Sequence, residues 1–229
     1  MSRSGSSLLS LFLVLSAASL LGCEKSDPVA VTADDAFGGG GETSVEVILA
    51  STSAQPVDGD ESAGLVTMRE EEKVARDVYT ALYARWQSSV FAHIAASEQK
   101  HMDAVLALLR RYGIADPVGS HPAGEFTDPA MQQLYETLVT QGSASLAEAY
   151  TVGAMIEDLD IADLQRHLGE TDNTDITRVY QNLERGSRNH MRAFVKSLAS
   201  SGASYTPQYI SQAEFDAIVA SGTERGRGW

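Results

Sequence analysis

FAHIAASEQKHMDAVLALL, residues 91–109, decides the fold of this 229-residue chain. Its series Phe91, Ile94, Glu98, His101, Val105, Leu108 advances by alternating steps of three and four, the spacing of one buried face of an α-helix. Four members are apolar and two are not. A carboxylate and an imidazole one turn apart on a face meant for burial need partners, because an unpaired buried charge costs on the order of several kcal/mol. The helix runs from about Ser89 to Tyr112 and stops at Gly113, which suits the left-handed residue after a helix end.

Working outward, three more helices show the same kind of seam. The first opens at Thr67-Met68-Arg69-Glu70, which has the form of a capping box, and runs to about Trp86. Its seam is Leu65, Met68, Glu72, Ala75, Tyr79, Leu82, Trp86, with Glu72 the one carboxylate. Glu70 and Glu71 lie off the line and are expected in solvent, with Lys73 and Arg76 nearby for helical ion pairs. The third helix opens at a second capping box, Ser145 to Glu148, with the seam Leu146, Tyr150, Gly153, Glu157, Asp160, Leu164. Gly153 clears space one turn before the carboxylates for a partner helix or a small molecule. The fourth runs from about Asp175 to Ser200 along Ile176, Tyr180, Leu183, Ser187, His190, Phe194. The connection from the second helix to the third is long. Residues 114–128 are a loop, and Asp128-Pro129 then caps and starts a short helix ending near Gly142. Such a connection permits a crossover. A last box, Ser211 to Glu214, starts a short apolar helix with Phe215, Ile218 and Val219, expected to pack on the bundle. The sequence therefore predicts an all-α four-helix bundle over residues 65–222, with a short helix in the crossover, a short C-terminal helix and a disordered tail, 223–229.

The N-terminal part is different in kind. Residues 1–23 have Arg3, an apolar run from Leu8 to Leu21, and Leu20-Leu21-Gly22-Cys23, which resembles the lipobox of bacterial lipoproteins. Lipidation at Cys23 would hold the chain at a membrane by acyl chains, in the bacterial cell envelope. Glu24, not Asp, follows the cysteine, and by resemblance to proteobacterial lipoproteins this implies the outer membrane, facing the periplasm, over inner-membrane retention. Residues 24–64 read as a flexible tether around the glycine run 38–41, with SVEVILA, 44–50, patterned as one short strand. Cys23 is the single cysteine, so a mature chain has no disulfide, thiolate zinc site or iron–sulfur cluster. A formal net charge of -14 argues against nucleic acid and against charge-driven binding to anionic lipid.

Together the seams supply Glu72, Glu98, His101, Glu157, Asp160 and His190, four carboxylates and two imidazoles. Hard oxygen donors, two neutral nitrogens and open positions are what a pair of iron ions needs. Here the chain resembles the ferritin-like superfamily. Glu72-x-x-Ala75-x-x-x-Tyr79 is similar to the first ligand helix of bacterioferritins and rubrerythrins, and Phe91-x-x-Ile94-Ala95-x-Ser97-Glu98-x-x-His101 to the second. More closely, EEEKVARDVY, SEQKHMDAVLALL, VGAMIEDLDIADL, RGSRNHMRAF and YTPQYISQAEFDAIV resemble an uncharacterised bacterial family, domain of unknown function 2202. The resemblance implies a metal-binding bundle with two irons per chain, manganese or zinc as alternatives, and Fe(II) oxidation or reduction of oxygen or peroxide. It implies Glu98 and Glu157 as bridging carboxylates, His101 and His190 as nitrogen ligands, and Glu72 and Asp160 as terminal carboxylates. A second Glu-x-x-His would require glutamate at 187, where this chain has serine; Asp160 is then the expected substitute. A rubrerythrin-type relay through cysteine-bound iron is excluded by the cysteine count. An oligomer is compatible with the sequence.

Other readings of the same residues remain open. Glu72 could pair with Arg76 or Arg188, and the six groups could form a metal-free hydrogen-bonded core in an interaction module. A non-enzymatic metal-binding or iron-sequestering protein fits the same ligands. His93, His121 and His167 lie off the seams and are expected at the surface. Tyr79 and Tyr180 are expected in the core, with electron transfer a further role for a tyrosine beside iron.

Overall fold

The structure, a computed structural model, describes residues 45–225. Cys23, the apolar leader and most of the tether lie outside the described residues. The described residues form seven α-helices and no strand: α1 Val45–Ser51, α2 Gly59–Trp86, α3 Ser89–Tyr112, α4 Pro129–Gly142, α5 Leu146–Glu170, α6 Thr174–Ser200 and α7 Gln212–Ala220. The all-α bundle expected from the seams is present in α2, α3, α5 and α6.

Cross-helix pairs give the directions. Tyr79 meets Gly153 and Gly64 faces His167, so α5 runs antiparallel to α2. Phe91 packs on Phe194 while Glu98 faces His190, so α6 runs antiparallel to α3. Short links make α2–α3 and α5–α6 antiparallel hairpins, which leaves α3 and α5 parallel. Successive bundle helices that run parallel need a long return, and the 113–145 segment carrying α4 provides it. The return is anchored from α2. Buried Lys73 donates to Asp77 (2.5 Å) and to the Pro122 carbonyl (2.9 Å) and lies 4.2 Å from the Phe126 ring centroid. Asp77 also accepts the Gly124 amide, and Arg69 pairs with Asp116. Lys73 thus makes a helical pair, but a buried one with Asp77 that clamps the return, not a solvated one with Glu70 or Glu71. Glu70 is buried too, accepting the Asp128 amide that opens α4.

Most helix starts fall where the sequence put them. Ser145 and Ser211 accept the amides of Glu148 and Glu214, Asp128 caps α4 ahead of Pro129, and Gly113 ends α3 at φ 66°. The start of α2 does not. A capping box at Asp58 and Glu61, nine residues upstream of the one at Thr67, takes precedence. Glu61 explains why: its carboxylate accepts from Asn173 and Thr171, which pins the extra turns to the α5–α6 link. The described part of SVEVILA, residues 45–50, is helical, not a strand: Val45, Ile48 and Leu49 pack on the bundle at steps of three and one, while Val47, which an alternating pattern would place on one face with Val45 and Leu49, is 51% exposed. The tail is also partly held. Glu224 bonds Arg188 and Arg192, so order extends past the expected boundary at 223. The segment before α7 is tied by Asp158, which faces away from the seam and accepts the Tyr205 hydroxyl and the amides of Gln208, Tyr209 and Ile210.

The core is divided along the bundle axis. One apolar cluster contains Tyr79, Phe91, Ile94, Val152 and Phe194; the other contains Leu65, Met68, Val105, Leu108, Leu164 and Leu183. Between them lies a polar layer.

Candidate metal centre

Glu72, Glu98, His101, Glu157 and His190 form that layer, each at most 4% exposed. They fall into two groups, Glu72–Glu98–His101 and Glu98–Glu157–His190, within each of which one donor atom per residue lies within 4.8 Å of the others. Glu98 alone belongs to both. His101 Nδ1 lies 2.7 Å from Glu98 Oε2 and 3.2 Å from Glu72 Oε2. His190 Nδ1 lies 2.8 Å from Glu98 Oε1 and 3.4 Å from Glu157 Oε2. The alternative ion pairs of Glu72 are not formed: Arg76 binds Asp77 and Gln99, and Arg188 binds Glu184 and Glu224.

The geometry suits a shared cation. Cis donors about 2.1 Å from one ion lie about 3.0 Å apart, inside the range of these contacts. His190 Nδ1 and Glu98 Oε1 approach closely without hydrogen-bond alignment, and both remain without a hydrogen-bond partner, as does Glu72 Oε1. Buried polar atoms are seldom left unsatisfied, so three in one layer mark a place for a ligand. The donor set of carboxylate oxygens and imidazole nitrogens fits iron, manganese or zinc.

The electrostatics express the same demand for positive charge. Burial pushes the Glu72 carboxyl up to about 8, against the opposing pull of His101. Burial also raises Glu157. At Glu98 burial acts upward, but His190 and His101 outweigh it and hold the carboxyl well below its usual range. Burial would depress both imidazoles, yet Glu98 and Glu157 push His190 up to about 10, and Glu72 and Glu98 raise His101 strongly. Protons therefore hold the layer together where a cation could replace them.

Surrounding residues fix the donors. Tyr79 donates to Glu157 Oε1 at 2.5 Å. Gly153 admits the Phe194 ring, since a Cβ there would lie 2.4 Å from Phe194 Cε1. The space expected at Gly153 is thus filled by a partner helix. Gly186 does the same for His101, whose Nε2 would be 2.6 Å from an added Cβ. Asp160 stands outside both groups. Its Oδ2 bonds the hydroxyl of Ser187, which also bonds the Leu183 carbonyl, and burial with Glu72 and Glu157 nearby raises its pKa strongly.

Two neighbours differ from expectation, and a third was missed. Glu71 is not simply solvated: its Oε2 is buried without a partner. His167 is buried at 6%, fitted against Gly64 and bonded to Glu170. Gly186 carried a signal, a glycine in mid-helix beside the seam, that the seam pattern did not use.

Fold and layer together define a helical bundle built around a buried carboxylate–imidazole centre. Residues 61–222 match the family described as "Uncharacterized protein domain (DUF2202)", and the chain belongs to that family. It is 53% identical over 178 residues to uncharacterized protein MJ0754 of the archaeon Methanocaldococcus jannaschii, covering 78% of this chain and 96% of that one. The solved structure of hypothetical protein MJ0754 from Methanococcus jannaschii gives a TM-score of 0.74 at 53% identity, covering 75% of this chain and 98% of the other. An archaeal relative at this identity corrects the expectation of a purely bacterial family.

Proposed function

We propose that this protein is a ferritin-like metal protein whose polar layer holds two divalent ions, iron before manganese or zinc. The observation that carries the reading is Glu98, whose two oxygens are divided between two imidazoles, each with its own second carboxylate. Glu72 and His101 would complete one locus, Glu157 and His190 the other, and Glu98 would bridge them. Bound iron would supply the electrons for reducing oxygen or peroxide, or would itself be the Fe(II) substrate of an oxidation. The chain's own part is positioning and exclusion. Tyr79 fixes the orientation of Glu157, the aromatic cluster of Tyr79, Phe91 and Phe194 keeps water from one side, and the Ser187 hydroxyl donates to Asp160 and fixes it beside the layer.

The test is iron per chain. Full-length protein, stripped and then loaded anaerobically with Fe(II), should retain about two irons by this ligand count. Glu98→Ala should retain none, because it removes the donor common to both groups. One iron in the wild type would mean unequal loci and a site weakened at Ser187. No iron, manganese or zinc would abandon the metal reading for a metal-free polar core. Retained iron without turnover of oxygen or peroxide would favour sequestration.

We also propose that Cys23 is lipidated and anchors the protein to the outer membrane facing the periplasm. The Leu20–Glu24 sequence supports this, and the 45–225 bundle does not itself supply a span: among the described residues no helix is long and apolar enough to cross a membrane. Cys23→Ala should abolish incorporation of labelled fatty acid.

A further inference from the structure

The polar layer is closed along the bundle axis by one apolar cluster on each side. A cation can therefore reach it only sideways, between helices. α2 packs most extensively on α3, and α5 on α6, which leaves the α2–α5 and α3–α6 seams as the looser ones. At the α3–α6 seam the His101 ring closes against the Gly186 backbone, which offers no side-chain donor. The α2–α5 seam offers carboxylates.

There Glu71 on α2 faces Asp160 and Asp163 on α5, which stand one helical turn apart. All three are half-buried, unlike the layer behind them. The charges form a continuous series. Asp163 and Asp160 are those that bear most on Glu71, and Glu72 and Glu157 those that bear most on Asp160. Two buried atoms in this region have no partner. Glu71 Oε2 is one. The other is the hydroxyl of Tyr180, a residue 2% exposed, on which Glu71 is foremost among the charges acting. On the solvent side Arg166 pairs with Asp163 at 2.6 Å and reaches Glu170 at 3.5 Å, its own side chain 44% exposed. The outermost carboxylate is thus covered by a cation able to swing away.

We propose that Glu71, Asp160 and Asp163 form a transit site through which hydrated divalent cations reach the Glu98 layer, displacing the Arg166 guanidinium from Asp163 as they enter. The proposal rests on the metal reading of that layer. Unpaired Glu71 Oε2 supplies an inner oxygen donor, Asp163 an outer one, and Asp160 hands the ion on to Glu72 and Glu157. A lining of one sign in a low-dielectric cleft raises the local cation concentration and accelerates arrival.

The test separates rate from capacity. Stripped full-length protein is mixed with Co(II) in a stopped-flow instrument, and the visible absorption of the bound ion is followed. The double variant Glu71→Gln, Asp163→Asn should fill about tenfold more slowly, at the low end of electrostatic steering, and reach the same final stoichiometry. Arg166→Gln should fill faster than wild type. Asp163→Asn alone, a change at the outer end, keeps the test sound if the Glu71 change disturbs folding; it should slow filling as well. Wild-type rates in both acidic variants would overturn the route and leave the layer's metal reading intact. A lower final stoichiometry at an unchanged rate would also overturn it, making Glu71 part of the holding site. A wild type that takes up no Co(II), manganese or iron would remove the centre and the route together.

Discussion

Glu98 and His101 were legible because a seam with a strict rhythm makes a polar member conspicuous, and each stands where burial is certain. Glu71 was not, because one residue of helical rotation separates it from Glu72, and the sequence cannot tell a solvent-facing carboxylate from one turned into a seam. His167 escaped for a related reason: the socket that buries it is made by Gly64, far away in the chain. Glycines show how much a residue does by omission. In an exposed helix interior, Gly186→Ala would stabilise by about 1 kcal/mol. Here the new methyl would meet His101 Nε2 at 2.6 Å, so the ring, fixed on its other edge by Glu98 and Glu72, must move. The expected outcome is a folded protein of near-native stability whose Glu72–Glu98–His101 locus binds metal at least about tenfold more weakly, a cost of about 1.4 kcal/mol. The Glu157–His190 locus should be less affected. Calorimetric titration with Mn(II) beside a denaturation curve checks both halves, and unchanged binding at both loci would remove Gly186 from the site.

At the scale of elements, amphipathic rhythm and capping chemistry placed all four bundle helices, α4 and α7. They failed at the start of α2, where Thr67 looks like a beginning but Glu61, bonded to the α5–α6 link, carries the helix further back. They failed again at α1, whose short apolar run fits either period until the surface it packs on is known. Partners distant in sequence decided both cases. The C-terminal end is another. Glu224 accepts from Arg188 at 2.6 Å and from Arg192 at 2.7 Å, and these hydrogen bonds hold its carboxyl down to about 2. A carboxyl depressed in the folded state contributes stability that is present above its unfolded value of about 4.5 and is lost as pH falls through about 2. Amide hydrogen exchange should therefore show the α7 end and residues 221–225 losing protection between about pH 4.5 and 2. Glu224→Gln should show weaker protection there already at pH 7 and a flatter response to acid. An identical profile in the variant would mean the tail is held without this charge.

For the molecule as a whole, the question is what five buried polar side chains do between two apolar clusters. A structural layer would stabilise the bundle in its own right. A layer built for a ligand should instead be a weakness when empty, because buried ion pairs often stabilise less than apolar side chains of similar volume, and partnerless atoms cost about 1–3 kcal/mol each. Three atoms without a hydrogen bond lie here, Glu72 Oε1 and the ion-paired Glu98 Oε1 and His190 Nδ1. Metal bound only by the folded state returns stability by mass action, about 2.7 kcal/mol at a free concentration a hundredfold above Kd. For a domain of this size that corresponds to a rise of roughly 5–10 °C in Tm. Replacing all five residues by leucine or methionine should then give a protein more stable than the stripped wild type, with a Tm that no longer responds to metal or chelator. Matched melts of both proteins, stripped and with excess Mn(II), decide it. If the apolar variant melts below the stripped wild type, and the wild type ignores metal, the layer is there to specify the fold and the protein is a helical module without a metal centre. If the apolar variant is the more stable and only the wild type gains from metal, then stability has been given up at the middle of the bundle for a binding site. The division of the core into two clusters follows from that, since each half must then hold the four helices in register independently of the other.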